Sequence, residues 1–439
     1  MSGKKSVVAL VHRDVIPGTS SKYTSSDFET VMGMVKECFD LSVGGAANLI
    51  KDGKTVLIKP NIVSARASPD TGIITDPRVL EATIKIIKES VSNVTVNVGE
   101  NTAGGASRMA FQSGTPMGDA IRRAGVDEII PFDECPLVTV KIRDAKNWYE
   151  WQIPKAVLDC DVYISIPKLK GHMVSQVTLT LKNAMGLLRH EDMQARHRSD
   201  LYQMIVDINK ARKPDFAIVD AIHGLAYDHA SRYPEHALTY NTLIAGTDAV
   251  AVDAVGGYLM GWNNPAREIT ILRIAQHDGL GVADMNKIDV KGADPDKLRK
   301  NLVIPFDEHA HTGYFAIPYE PCPLEAVFEG VEMFFGGVCL GCKSYIRMNL
   351  EGLYETGMLA KLVESVKQIN VISGRNAHIN PAMLPLPGIT VVYGDCAVDK
   401  WGEIVKKWSN KTAVIPGCCP SVGELGGYLR TLMKEHGIS

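Results

Sequence analysis

The sequence predicts an α/β protein, with a parallel-rich sheet in an N-terminal domain and a second, smaller Rossmann-like C-terminal domain. Three observations carry this. Short β-rich runs alternate with helix-length amphipathic segments. The chain, at 439 residues, is longer than the roughly 250–300 at which a single core stops growing. The rhythm breaks once, in a stretch rich in Asp, Lys, Pro and His at 290–323, and then resumes. The expected division is therefore 1–300, a connection at 301–323, and 324–439.

In the first domain, strands are expected at residues 7–11, 55–58, 94–98, 162–166, 216–219 and 243–245. Between them, 28–50, 77–91, 200–210 and 249–260 repeat apolar residues at helical spacing. Asp76 and Pro77 open one of these helices, a carboxylate at the N-cap and a proline at the first helical position. In the second domain, strand-like runs at 333–338, 369–372, 389–393 and 413–415 each end in a small or sulfur-bearing turn: Cys339, Ser373-Gly374, Gly394-Asp395-Cys396 and Pro416-Gly417-Cys418-Cys419. Helix-like segments at 350–366, 400–408 and 422–434 follow.

Composition excludes several classes. The chain is 45% hydrophobic and 22% charged with a formal net charge of -3, and no basic stripe is present to attract nucleic acid or anionic lipid. The first apolar run is shorter than a signal-peptide core, and none approaches the roughly 20 residues that cross a bilayer. A cytoplasmic protein is expected, with no nucleic-acid or membrane partner.

Nine cysteines in a reducing compartment argue for metal or redox chemistry over a disulfide framework. Cys38, Cys135, Cys160 and Cys322 are isolated and read as core residues. Cys339, Cys342, Cys396, Cys418 and Cys419 crowd the last quarter, three of the four strand ends carrying sulfur. Ligands in such sheets gather outside the carboxyl ends of the strands, so one place could receive all five. Four thiolates suffice for a 4Fe-4S cluster, and zinc is the alternative. One CxxC, one single cysteine and one doublet are also the complement found in the cysteine-rich domains of heterodisulfide reductases, here in reversed order, which implies a non-cubane cluster as a further option.

The second concentration of chemistry is basic. Lys59 and Asn61 follow the strand at 55–58; Lys168, Lys170 and His172 follow the strand at 162–166; Lys182 and Asn183 open a helix-like segment. Gathered at neighbouring strand ends, they would form a cationic pocket for a carboxylate or phosphate. His172, Lys168 and Lys182 are the candidates for proton exchange. The glycine-rich run at 99–108, with Gly104 and Gly105, offers backbone N–H groups to an oxyanion, and it is neither a Walker loop nor a dinucleotide fingerprint. His190, His197, His223, His229 and His236 match no metal-ligand spacing, and His309 and His311 read as solvated.

With Lys59-Pro60-Asn61, Thr75-Asp76-Pro77, Gly99-Glu100, Ile166-Pro167-Lys168, the segment 178–186 with Lys182-Asn183, and Gly246-Thr247-Asp248 followed by Asp253, the sequence resembles domain-of-unknown-function family 362 across roughly residues 55–260. Members of that family are often described as iron-sulfur proteins. The resemblance implies this fold and an iron-sulfur association, and supplies no reaction. Members often carry a ferredoxin-type cysteine insert; this chain departs by keeping its cysteines in a separate C-terminal domain.

The leading expectation is an iron-sulfur redox enzyme of an anaerobe, a reductase or redox-assisted lyase acting on a small anionic substrate. A ferredoxin-type electron donor and a homodimeric partner are compatible with it. The rivals are a non-redox racemase or isomerase, using lysine and histidine as acid and base beside a structural metal, and an iron-sulfur cluster carrier or assembly protein.

Overall fold

The structure is a computed structural model that describes residues 5–438 apart from 66, 103–105, 147, 173–174, 190–191, 193–200, 227–236, 302–327, 337, 339, 355, 375, 378, 380, 410, 418 and 421–422. The chain divides into two compact units, residues 1–193 with 202–302, and residues 303–439 with 194–201.

The first unit is built on a ten-stranded sheet. Its strands are β1 (Ser6–His12), β2 (Thr55–Pro60), β3 (Thr95–Glu100), β4 (Glu128–Pro131), β7 (Val162–Ile166), β8 (Lys168–His172), β9 (Gln176–Thr178), β10 (Phe216–Leu225), β11 (Ala237–Gly246) and β12 (Ile288–Gly292), while β5 (Leu137–Lys141) and β6 (Glu150–Pro154) form a separate hairpin. The order is β12-β1-β11-β10-β7-β2-β3-β4, with β8 against β10 and β9. Most neighbours are parallel, and β11 runs antiparallel to both β1 and β10. Only residues 226–236 separate β10 from β11, fewer than the dozen or so that a parallel crossover requires.

Helices α1 (Ser25–Val43), α2 (Pro77–Ser90) and α3 (Pro116–Arg123) share one apolar layer with Val56 and Ile58 of β2 and Ile164 and Ile166 of β7. Local chemistry fixes their ends. Thr24 and Asp27 form a reciprocal capping box at α1, and Asp76 caps α2 just ahead of Pro77. Because side chains alternate along a strand, Lys59 of β2 and Ser165 of β7 point away from this layer. They meet α4 (Thr180–Asn183), which is followed in the chain by α5 (Leu201–Ala211) and α6 (Ala249–Leu259).

The residues after β7 differ from the expected ligand-facing group: Lys168–His172 is a buried strand, because Asp220 of β10 neutralises Lys168 across the pairing. The segment beginning at 290 also differs at its start, since Ile288–Gly292 pairs with β1 as an edge strand.

The second unit is a four-stranded parallel sheet in chain order, β13 (Val331–Phe335), β14 (Ile369–Ser373), β15 (Ile389–Tyr393) and β16 (Lys411–Ile415). Its helices are α7 (Leu340–Tyr354), α8 (Met358–Val366), α9 (Asp395–Val405) and α10 (Glu424–Glu435). The helix expected at 350–366 is therefore two, parted by Gly357 in the left-handed region at φ 68°. Among the described residues, no helix of either unit is long and apolar enough to cross a membrane.

Candidate functional site

In the first unit the chain moves from β2 outward to β3 and β4, and then returns so that β7 lies on the other side of β2. This reversal opens a crevice between the carboxyl ends of β2 and β7, where open α/β sheets receive ligands. Asn183 straddles it: its Nδ2 donates to Pro60 O at 3.3 Å and to Ser165 Oγ at 3.0 Å. Asn183 Oδ1 accepts from Lys59 Nζ at 3.1 Å and from Asn61 Nδ2 at 3.2 Å. Thr75 Oγ1 accepts the Asn61 N–H at 2.8 Å and donates to Ile166 O at 2.8 Å, tying the two strand ends again. Asn61 Oδ1 is left buried without a hydrogen-bond partner among the described residues.

Glu100, at the end of β3, lies 2.7 Å from Lys59 Nζ and accepts the backbone N–H groups of Ile62 and Asn101 at 3.0 and 2.8 Å. Both members of the pair are buried. Burial pulls the Lys59 amine below its ordinary range against the attraction of Glu100, and pushes the Glu100 carboxyl above its own against the attraction of Lys59. Gly186 makes room for the pair: a Cβ there would lie 2.4 Å from Glu100 Oε1 and 2.7 Å from Lys59 Nζ.

The side chain of Lys182, partly buried on α4, has no hydrogen bond or ion pair among the described residues. Burial, with the charge of Lys59 added, pushes its amine down to about 8. Asp253 of α6 holds the start of α4 by accepting the Thr180 and Leu181 N–H groups at 2.7 and 2.9 Å, and burial raises its carboxyl to about 7.

Lys168 belongs to a second, electrically balanced group. Its Nζ lies 2.8 Å from Asp220 Oδ2, which also accepts the Asp76 N–H at 2.7 Å. Asp76 pairs with Arg78 at 2.7 Å, and although burial works against it, the guanidinium holds the carboxyl below its ordinary range. All four side chains are buried. Lys170 donates to Ile73 O at 2.7 Å, and His172 Nδ1 accepts the Ser175 N–H at 3.1 Å.

Of the sequence candidates, Lys59, Asn61 and Asn183 are joined directly by hydrogen bonds and Lys182 lies within the electrostatic reach of Lys59. Lys168 and Lys170 are occupied by protein partners. Gly104 and Gly105 lie outside the described residues. Sequence reasoning about the pocket omitted Glu100 and Asp253. Glu100 had a usable signal, because it ends β3 just as Lys59 precedes the end of β2.

In the second unit, three sulfur-bearing segments approach the carboxyl ends of β15 and β16. Gly394 N donates to Ile415 O at 2.9 Å, Asp395 N to Gly417 O at 3.0 Å, and Gly417 N to Asp395 Oδ1 at 2.6 Å. These bonds tie the turn leading to Cys396 to the turn leading to Cys418 and Cys419. Cys342, on α7, comes to the same place: a Cβ on Gly394, whose φ is 89°, would lie 3.0 Å from Cys342 Sγ. Burial raises the phenols of Tyr345 and Tyr393, and the sulfurs of Cys342 and Cys419 raise both further.

Cys342 is buried, Cys396 and Cys419 are partly exposed, and Cys339 and Cys418 lie outside the described residues. Among the described residues, no three His, Cys, Asp or Glu side chains are grouped as a metal site. Two features nonetheless fit a soft metal centre: the donors are sulfur, and the buried Tyr393 hydroxyl, within electrostatic reach of Cys342 and Cys419, has no hydrogen-bond partner among the described residues. The isolated Cys38, Cys135 and Cys160 are buried; Cys322 lies outside the described residues, as do His190, His197, His229, His236, His309 and His311.

Residues 56–257 match the family model "Domain of unknown function (DUF362)", the same stretch whose motifs carried the resemblance. The thylakoid-associated protein sll1697 of Synechocystis sp. (strain ATCC 27184 / PCC 6803 / Kazusa) is 26% identical over 225 residues, 48% of this chain and 65% of that protein. The chain thus spans a little less than two thirds of this relative. The lactate racemase apoprotein from Thermoanaerobacterium thermosaccharolyticum is similar with a TM-score of 0.31 and 14% identity, over 51% of this chain and 55% of that one.

Proposed function

We propose that this chain, whose residues 56–257 match the DUF362 family model, is an iron-sulfur redox enzyme whose second unit holds a cluster and whose first unit binds a small anionic substrate. The observation that carries the proposal is the approach of Cys342 and of the turns bearing Cys396 and Cys419 to the carboxyl ends of β15 and β16. Cys342, Cys396 and Cys419, with Cys339 and Cys418 as the further candidates from the sequence, would be the thiolates that hold the cluster. Such a cluster supplies one electron at a time. Zinc is the alternative occupant of the same donors.

On the substrate side the chain's own residues have distinct tasks. Lys59 and Glu100 neutralise each other and hold Asn183 and the two strand ends in position. Lys182 remains as the amine with no counter-ion among the described residues, so it binds the anionic group. A ferredoxin-type protein is the electron donor this reading calls for.

The amine of Lys182 at about 8 also suits general acid–base chemistry near neutral pH, which favours a racemase or isomerase as the second reading. Anaerobic purification followed by a reduced-minus-oxidised spectrum separates the two. Bleaching of a visible sulfur-to-iron band supports the redox enzyme, and a colourless protein holding zinc supports the isomerase.

A further inference from the structure

We propose that the Tyr393 hydroxyl donates a hydrogen bond to the sulfur-held group of the second unit and raises its reduction potential. This rests on the iron-sulfur reading of that unit.

Tyr393 ends β15, and its side chain is 0% exposed. The preceding Val392 joins the apolar layer with Ile372, Ala397 and Val405, so alternation along the strand turns Tyr393 to the opposite face. Cys342 and Tyr345 occupy one face of α7, since they are three residues apart on the helix. The groups acting on the Tyr393 phenol from the elements around it are Cys342, Cys419, Glu424 and Tyr345.

Among the described residues Tyr393 Oη has no hydrogen-bond partner. A buried hydroxyl is ordinarily satisfied, and a wholly buried one left without a partner points to an acceptor that binds there. A tyrosine hydroxyl keeps its proton near neutral pH, so the group donates and does not ionise. The acceptor must be soft and electron-rich, because Cys342 and Cys419 are the sulfurs nearest in effect. A thiolate or sulfide bound to iron meets that description. A hydrogen bond to such a sulfur stabilises the reduced centre, which carries the greater negative charge, and so raises the potential.

The test compares wild type with Tyr393→Phe, both purified anaerobically, by iron and sulfide content and by an EPR-monitored redox titration. The expected result is unchanged iron and a lower midpoint potential. At the wild-type midpoint the oxidised-to-reduced ratio should rise about tenfold, which is about 59 mV for one electron. Unchanged iron with an unchanged midpoint overturns the inference and leaves the cluster reading standing. Wild-type protein without iron and sulfide overturns the cluster reading and the inference with it. Should the phenylalanine variant fail to fold, 3-fluorotyrosine placed at position 393 alone keeps the ring and makes the hydroxyl a stronger donor. Its midpoint should move upward, and an unmoved midpoint overturns the inference.

Discussion

Both units gather chemistry at the carboxyl ends of parallel strands, and they treat charge in opposite ways. In the first unit the basic residues arrive with their own partners: Lys59 faces Glu100, Lys168 faces Asp220, and Lys170 is taken by a backbone carbonyl. Only Lys182, of the four lysines placed here by the sequence, has no partner among the described residues. In the second unit the gathered groups are thiols and phenols, and a metal that binds there displaces the thiol proton. A count of lysines at strand ends therefore overstates the charge offered to a substrate, whereas a count of cysteines needs no such discount.

The contrast can be broken most severely at sulfur. Replacing Cys342 or Cys396 by serine should remove most of the iron, because a serine oxygen is a poor substitute for thiolate. Cys38→Ser or Cys160→Ser should leave iron content unchanged and cost only about 1 kcal/mol of stability, as expected for a small polar change in a core. Iron and sulfide analysis of the four variants checks this, and equal loss from both pairs would remove the distinction between ligand and core cysteines.

The next largest effect should come from the paired lysine. Lys168→Met leaves Asp220 charged and buried without its cation, a change that costs about 3–5 kcal/mol. Denaturant unfolding should show a loss of that order with iron content intact. A variant as stable as wild type would mean that Lys168 is not bound structurally and is free for substrate.

Lys182→Met should do the reverse. With no partner to strand, it should cost little stability but weaken sulfate binding, measured by calorimetry, by roughly 10–100-fold, the worth of one charge-assisted hydrogen bond of about 1.5–3 kcal/mol. The pH dependence follows from the depressed amine. The ammonium that binds the anion is present below about pH 8 and is lost as the pH rises through that value. Wild-type affinity should fall across this range, and the Lys182→Met variant should lack that limb.

Much of the framework was legible in the sequence because apolar runs mark buried strands whatever their neighbours: Val162–Ile166 and Ile389–Tyr393 fall where expected. The strand Lys168–His172 was not legible. Its two lysines and histidine read as groups offered to a ligand after a strand, and the residue that makes burial tolerable, Asp220, arrives only with β10. The pairing of Lys59 with Glu100 was hidden for the same reason, since a counter-ion on an adjacent strand leaves no mark on local spacing. Sulfur at successive strand ends was visible because the strand-to-turn rhythm places it without long-range partners. Tyr393 was not, because at the end of an apolar run its hydroxyl looks incidental until the fold leaves it buried and without an acceptor among the described residues.

The central claim is that the second unit holds an iron-sulfur cluster, and metal and sulfide analysis of anaerobically purified protein, with EPR of the reduced state, tests it most directly. The expected result is about four irons and four sulfides per chain with a reduced-cluster signal; a stoichiometric zinc without sulfide, or no metal at all, would contradict it.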